Sequence, residues 1–236
     1  PICSDRRVVP PAPLAAPAGA GADRAMPANR IHLIRHGEVH NPGQVLYGRL
    51  PHFRLSERGH EMAALAAQTI KADKRPVGAI VASPLLRTRE SAEHVQELLG
   101  IEIVTDQRLI EPYNIFEGRK LTAKHIALRP HLIYHLRNPN KPTWGEPYEE
   151  VLARMLEAIK EVSESVQDAD AVIVSHQLPI VMVQRHLAGL PLAHNPKKRN
   201  CSLSSITSLE VRNGKLTQVD YREPAAALHS IDKGAV

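Results

Sequence analysis

The residues with the clearest chemical potential in this sequence follow three short apolar segments. Arg35 and His36 come directly after the first segment. Arg87 stands shortly after the second segment, and His176 comes directly after the third. A guanidinium grips phosphate oxygens with a planar set of N–H donors, and a neutral imidazole can attack phosphorus. Together these residue types indicate phosphoryl-transfer chemistry.

The three segments have the length and composition of buried β-strands. They cover 31–34, 77–82 and 171–175, and the amphipathic patterns between them predict helices with Ser56 and Ser83 as N-caps. Strands that alternate with helices predict a three-layer α/β/α sandwich with a mainly parallel central sheet. Because active sites of open α/β sheets lie at the carboxyl ends of the strands, the two His and two Arg side chains are expected to share one pocket.

Weaker patterns complete the predicted order of elements. A short strand is expected at 101–104, an amphipathic helix at 146–167, and a further helix that ends at Gly189. The segment 204–221 has the pattern of a β-hairpin with an Asn-Gly turn.

Composition divides the chain into a central domain and two tails. Residues 1–28 are rich in Ala, Pro and Gly, cannot bury a core and are expected to be disordered, and Met26 is a candidate start of the natural chain. The domain is expected over 29–223, with a lid-like insertion around 112–145, and 224–236 form a C-terminal tail. The prolines interrupt the apolar region that a secretory signal needs, so a cytoplasmic protein is expected.

Charge and cysteine content limit the classes of partner. The net charge of +5 favours acidic ligands. The cations are dispersed and aromatic residues make up only 3%, so neither nucleic acid nor a membrane is expected as a partner, while a homodimer is compatible with the sequence. The densest basic run, Lys197–Arg199, is interpreted as a solvated loop.

Cys3 and Cys201 are too few for a disulfide framework, and no spacing typical of zinc ligands occurs, so no metal and no cofactor are expected.

Three motifs carry a resemblance to a known family. They are Leu33–Glu38 (Leu-Ile-Arg-His-Gly-Glu) with Asn41 shortly after it, Ser83–Thr88 (Ser-Pro-Leu-Leu-Arg-Thr), and Val174–His176 (Val-Ser-His). In this order they resemble the motifs of the histidine phosphatase superfamily, which includes the cofactor-dependent phosphoglycerate mutases. The resemblance covers roughly 29–211 and implies the same fold.

The resemblance also implies a role for each site residue. His36 is expected to be the nucleophile that becomes phosphorylated, with its other ring nitrogen held as a donor by a backbone carbonyl near Gly37. The phosphoryl group is then expected to be surrounded by Arg35, Arg87, His176 and Asn41.

The proton donor for the leaving group remains open between two carboxyl groups. Glu111 matches the family position of the acid, and His36 and His176 complete the expected catalytic set. Glu117 is the competitor, because the pattern that follows the acid fits only loosely here. The other interpretation of Glu117 is a structural ion pair at the start of the insertion.

Departures from the family pattern decide which reaction is expected. Mutases follow the acid with an Arg and a Tyr, whereas Pro112 stands in the first of these places here, before Tyr113. Gln177 stands where Gly is common. The leading hypothesis is therefore metal-independent hydrolysis of a small acidic phosphorylated metabolite through a phosphohistidine. A phosphoglycerate mutase and a catalytically idle phospho-ligand-binding protein are the alternatives.

The insertion supplies basic and aromatic residues that could cover the site. They form either a lid over an acidic or aromatic substrate or a solvated flap: Arg119, Lys120, Arg129, Lys141 and Trp144.

Overall fold

The computed structural model describes residues 30–120, 145–212 and 214–231 of the chain. These residues form a single six-stranded sheet with the strand order β3-β2-β4-β1-β5-β6. The strands are β1 (Arg30–Arg35), β2 (Val77–Ala82), β3 (Ile103–Thr105), β4 (Asp170–Ser175), β5 (Ile206–Arg212) and β6 (Lys215–Arg222).

The sheet is mainly parallel, as predicted. β1 pairs with β4, β4 with β2, and β2 with β3, all in parallel. β5 and β6 form the predicted hairpin and join the sheet antiparallel to β1. The register pairs Arg35 with Ser175, so the residues that follow β1 and β4 leave the sheet side by side.

Among the described residues, four α-helices cover the two faces of the sheet and give the predicted three layers. α1 and α2 pack on one face around Ile34 and Ile80, and α3 and α4 pack on the other face around Leu33 and Ile173. All six residues of β4 are buried, which explains why its four central residues, 171–174, are apolar without alternation. The helices are α1 (Glu57–Ala72), α2 (Leu86–Leu99), α3 (Tyr148–Ser165) and α4 (Gln177–Leu187), and short 3₁₀ turns lie at Gln107–Leu109, Pro196–Lys198 and Ala226–Ile231.

The prediction that Ser83 caps the second helix is wrong. The N-cap of α2 is Leu85, which makes no side-chain capping bond, and Pro84 precedes the helix. The hydroxyl of Ser83 instead lies 2.8 Å from Nε2 of His176, because Ser83 is buried at the end of β2 beside the end of β4. Ser56 does cap α1, accepting from the amide of Gly59.

Two other element limits differ from the sequence patterns. The third strand begins at Ile103 instead of Ile101, and α3 begins at Tyr148 after Pro147 as N-cap. Glu146 lies before the helix because a proline disfavours the helical conformation for the residue that precedes it. The Glu146 carboxylate accepts hydrogen bonds from Arg49 and Arg154.

A buried polar network lies at the opposite end of the sheet from the motif residues. Asp170, the first residue of β4, accepts from Nε of Arg75 at 2.6 Å and from Nη2 at 2.8 Å. It also accepts from the amide of Arg30 at 3.0 Å and lies 3.4 Å from Nε2 of His32. Nδ1 of the same imidazole is 2.9 Å from the hydroxyl of Ser208. All three side chains of this Ser-His-Asp arrangement are buried, and Asp170 is held in an ion pair by Arg75.

The predicted tail over 1–28, most of the insertion and the last five residues lie outside the described residues, and the domain limits stay a prediction. Within the described ranges, no helix is long and apolar enough to cross a membrane.

Candidate active site

The ends of three neighbouring strands bring the motif residues together. Arg35 and His36 lie at the end of β1, Arg87 lies in the first turn of α2 after β2, and His176 follows β4. All four side chains are at least 97% buried. The amide of His36 bonds the carbonyl of Ser175 at 3.2 Å, which ties the ends of β1 and β4 to each other.

His36 is held in one tautomer. Its Nδ1 lies 2.8 Å from the carbonyl oxygen of Gly37, and a carbonyl can only accept, so Nδ1 carries the proton. Nε2 therefore presents a lone pair. Gly37 is fixed in turn by its amide, which donates to the hydroxyl of Ser91 in α2 at 3.1 Å.

The surroundings of His36 keep the imidazole neutral. Burial lowers its pKa well below the ordinary value of 6.5, and the positive charges of Arg87 and Arg35 lower it further. The hydrogen bond to the carbonyl of Gly37 acts in the opposite direction without reversing the shift. A neutral imidazole is the form that can act as a nucleophile.

Arg87 links the two imidazoles. Its Nε lies 3.4 Å from Nε2 of His36, and its Nη2 lies 3.2 Å from Nδ1 of His176. Nη2 also donates to the carbonyl of Gly48 at 2.8 Å, and the guanidinium stands 4.8 Å from the centre of the Tyr47 ring, a cation–π contact. The sequence pattern gave no reason to place Tyr47 here.

His176 is also neutral. Burial lowers its pKa well below 6.5, and the charge of Arg87 adds to the shift. Since Nδ1 faces a donor from Arg87, the ring proton belongs on Nε2, where the hydroxyl of Ser83 accepts it at 2.8 Å. In this state His176 offers no N–H to an anion, and it could donate from Nδ1 only after gaining a second proton or changing tautomer.

Arg35 is held at one end of its guanidinium. Nη1 donates to the carbonyl of Cys201 at 2.7 Å. Nε and Nη2 are buried and have no hydrogen-bond partner among the described residues. A buried guanidinium with unpaired donors is costly unless an anion binds there, so Arg35 is suited to hold phosphate oxygens.

Glu111 is the carboxyl group next to the imidazoles. Its Oε2 lies 3.8 Å from Nδ1 of His176, and its side chain keeps 21% of its exposure. Burial raises the pKa of Glu111, although the nearby Arg87, Arg199 and Arg35 oppose that shift. The raised pKa favours the protonated form that a proton donor needs.

Glu117 has a different environment. Its Oε1 accepts from the backbone amides of Arg49 at 3.0 Å and Asn114 at 3.2 Å. It therefore fixes two loops, a structural role, though through backbone amides instead of the predicted ion pair. The structure places Glu111, not Glu117, within 4 Å of an imidazole of the site.

Asn41 is turned into its own loop. Its Nδ2 donates to the carbonyl of Val45 at 2.8 Å, and its Oδ1 accepts from the amide of Val45 at 3.2 Å. Within the described ranges, no hydrogen bond joins its side chain to the two His and two Arg. Its phosphate-binding role stays a prediction.

Two further expectations concern basic residues. Arg119 and Lys120 are exposed, and the other predicted lid residues lie outside the described residues. The interpretation of the 197–199 run as solvated is wrong for Arg199, which is partly buried because Gln177 and His194 accept from its guanidinium.

No group of three or more metal-ligating side chains occurs in the part of the chain that the structure describes.

The family of the chain follows from comparison with known proteins. The family model described as "Histidine phosphatase superfamily (branch 1)" matches residues 31–224. The chain therefore belongs to the histidine phosphatase superfamily, an enzyme family of phosphatases and mutases.

Individual relatives cover most of this chain. An uncharacterised protein of Mycobacterium tuberculosis is 43% identical over 198 residues, which cover 84% of this chain and 97% of the relative. A probable phosphoglycerate mutase of Photorhabdus laumondii is 30% identical over 185 residues, 75% of this chain and 84% of that protein. The solved structure of a mycobacterial glucosyl-3-phosphoglycerate phosphatase is similar with a TM-score of 0.66 and 25% identity, covering 83% of this chain and 99% of that one.

Proposed function

We propose that the protein hydrolyses the phosphomonoester of a small acidic metabolite through a phosphohistidine formed on His36. The state of His36 carries this proposal. Its Nδ1 donates to the carbonyl of Gly37 at 2.8 Å, and its Nε2 lone pair faces the guanidinium of Arg87. A neutral nucleophile beside fixed positive charge is the arrangement that phosphoryl transfer requires.

The proposed reaction has two steps. Nε2 of His36 attacks phosphorus, the bond from phosphorus to the leaving oxygen breaks, and the carboxylic acid of Glu111 gives its proton to that oxygen. Water then attacks the phosphohistidine, gives a proton to the Glu111 carboxylate and releases inorganic phosphate, which restores His36. Arg35 and Arg87 neutralise the equatorial oxygens in both steps, so the proposal needs no metal ion.

Hydrolysis is favoured over isomerisation by the residues after Glu111. Pro112 stands where a mutase is expected to have an Arg, and the Tyr113 that follows it keeps 51% of its exposure. The likeness to a glucosyl-3-phosphoglycerate phosphatase supports the same choice. The likeness to a probable phosphoglycerate mutase keeps isomerisation as the second candidate.

The first experiment tests the nucleophile. Brief incubation with a ³²P-labelled phosphomonoester and an alkaline quench should leave label on His36, located by mass spectrometry. His36→Ala should lose the label and at least about a thousandfold of kcat. His40→Ala is the matched control, because His40 is exposed in the loop that follows. Label on another residue, or full activity of His36→Ala, would refute the proposal.

The second experiment separates the two reactions. Incubation with 3-phosphoglycerate, followed by ³¹P NMR, should show inorganic phosphate accumulating. Accumulation of the 2-phospho isomer without phosphate release would favour the mutase. If no compound in a panel of phosphomonoesters is converted and none labels His36, the binding protein is favoured over both enzymes.

A further inference from the structure

We infer that Arg199 forms a second anion subsite, which binds a carboxylate or a further phosphate on the leaving group of the substrate. The inference rests on the proposed function, because it assigns a substrate class to the same site. The three basic residues of the run 197–199 differ in their exposure. Lys197 and Lys198 are exposed, as a solvated loop requires, whereas Arg199 is partly buried.

Neutral acceptors hold Arg199, among them the hydroxyl of Tyr148. Nη1 donates to Oε1 of Gln177 at 3.3 Å, and Nε donates to Nε2 of His194 at 2.9 Å. His194 can accept there because its Nδ1 donates to the carbonyl of Leu192 at 2.6 Å, which fixes the tautomer. None of these acceptors carries a negative charge, so the bonds orient the guanidinium without neutralising it.

The subsite is joined to the phosphate-binding residues through one carbonyl. The carbonyl oxygen of Cys201 accepts from Nη1 of Arg35 at 2.7 Å and from Nε2 of Gln177 at 3.3 Å. The same Gln177 side chain then accepts from Arg199. Arg35 and Arg199 are thus connected through the Cys201 carbonyl and the Gln177 side chain, so a small molecule that meets both would carry two anionic groups.

Arg199 also lies on the side from which the leaving group would depart. Gln177 directly follows His176, whose Nδ1 is 3.8 Å from Glu111, the proposed proton donor. The charge of Arg199 is among the largest influences that oppose the raised pKa of Glu111. An anion on the leaving group would therefore meet Arg199 while its ester oxygen faces Glu111.

The charge of Arg199 is available to a ligand. The described residues give it no carboxylate within ion-pairing distance, in contrast to Arg49 and Arg154, which both pair with Glu146. A partly buried guanidinium without a counter-charge is unfavourable. Since a guanidinium has five N–H donors, the bonds to Gln177, His194 and the Tyr148 hydroxyl still leave donors for a planar anion.

The test compares substrates that differ only in the second group. Glycerol 3-phosphate has none, 3-phosphoglycerate has a carboxylate, and glycerol 1,3-bisphosphate has a second phosphate. The native protein should prefer one of the two anionic substrates in kcat/KM. Arg199→Gln should reduce that preference about tenfold to a hundredfold, as expected for loss of a charge-assisted hydrogen bond. The substrate whose preference is lost identifies the anion.

Lys198→Gln is the matched control, because it removes the same charge from an exposed neighbour and should leave the preference unchanged. The inference fails if the native protein shows no preference, or if Arg199→Gln lowers kcat/KM equally for all three substrates. Hydrolysis of glycerol 3-phosphate in either case would leave the proposed function standing. The same comparison can be made without turnover, by measuring calorimetric Kd values of the three compounds for His36→Asn with and without Arg199→Gln. The inference about Arg199 is then tested even if the protein hydrolyses none of them.

Discussion

A Cβ atom on Gly37 would lie 2.3 Å from the carbonyl oxygen of Gly59, and one on Gly59 would lie 2.0 Å from the carbonyl oxygen of Glu38. The start of α1 and the loop that follows His36 are therefore in direct backbone contact. The carbonyl of Gly37 accepts the hydrogen bond from Nδ1 of His36, so the loop in this contact also carries the acceptor that orients the imidazole.

Gly59→Ala is expected to impair catalysis through this contact. The new methyl group meets backbone atoms that no side-chain rotation can move, so the loop must shift. We expect a loss of about 1–3 kcal/mol in the free energy of unfolding and of about a hundredfold in kcat. Denaturant unfolding and hydrolysis of p-nitrophenyl phosphate measure the two effects.

The control adds the same methyl group where there is room. A Cβ on Gly43, in the same loop, would come no closer than 3.7 Å to another residue, so Gly43→Ala should be nearly neutral. Unchanged kcat in Gly59→Ala would show that the backbone contact does not position His36.

Glu111→Gln should have an effect that depends on the leaving group. Without its proton donor, the protein should lose about 10²- to 10⁴-fold in kcat/KM for an alkyl phosphate. The loss for p-nitrophenyl phosphate should be much smaller, because nitrophenolate leaves without a proton. In Glu117→Gln, which weakens backbone contacts only, any loss should be similar for both substrates. Equal losses for both substrates in Glu111→Gln would argue against its role as an acid.

The pH dependence of kcat/KM should follow the shifted pKa values. The nucleophile must be unprotonated, and burial with Arg87 holds the pKa of His36 well below 6.5, so protonation of His36 should limit activity only well below pH 6.5. The acid must be protonated, and burial raises the pKa of Glu111 above 4.5, so activity should decline on the alkaline side of that raised value.

The variant Glu111→Gln tests whether Glu111 causes the alkaline decline in kcat/KM. Its pH profile, measured with an alkyl phosphate whose leaving group needs a proton, should lack the alkaline decline that the native protein shows. An acidic limb centred at or above pH 6.5 would contradict the neutral state assigned to His36.

Asp170→Asn should destabilise the fold. Burial alone would raise the pKa of Asp170, but the bonds from Arg75, His32 and the amide of Arg30 hold it well below its usual range. Removing the buried negative charge should cost about 3–5 kcal/mol in the free energy of unfolding near pH 7. Denaturant unfolding of both proteins at several pH values measures this difference.

The sign of the pH effect follows from the lowered pKa. A carboxyl group whose pKa is lower in the folded state stabilises the fold above its unfolded pKa of about 3.8 and loses that contribution as the pH falls further. The gap between the native protein and Asp170→Asn should therefore shrink below about pH 3.8. Asp168→Asn, at an exposed turn residue, should stay within about 0.5 kcal/mol at all pH values. A gap independent of pH would mean that Asp170 is not the titrating group.

Local patterns were sufficient for the elements of the fold. The continuous apolar segment at 171–175 predicted a buried parallel strand, and the structure has β4 over Asp170–Ser175. The limits of 77–82 were matched by β2. Helix starts were less predictable, since Ser56 caps α1 but Ser83 does not cap α2. The hydroxyl of Ser83 is bonded to the imidazole of His176, and a partner so far away in the chain leaves no local sequence pattern.

By itself, the sequence determined the order of strands and helices, the family, and the placing of Arg35, His36, Arg87 and His176 at strand ends, since these depend on periodicity and short motifs. Only the tertiary structure decided which carboxyl group lies beside His176, that Arg199 turns inward, and that Gly59 contacts the loop after His36. Each of these depends on the distance between backbones far apart in the chain, and no local pattern records such a distance.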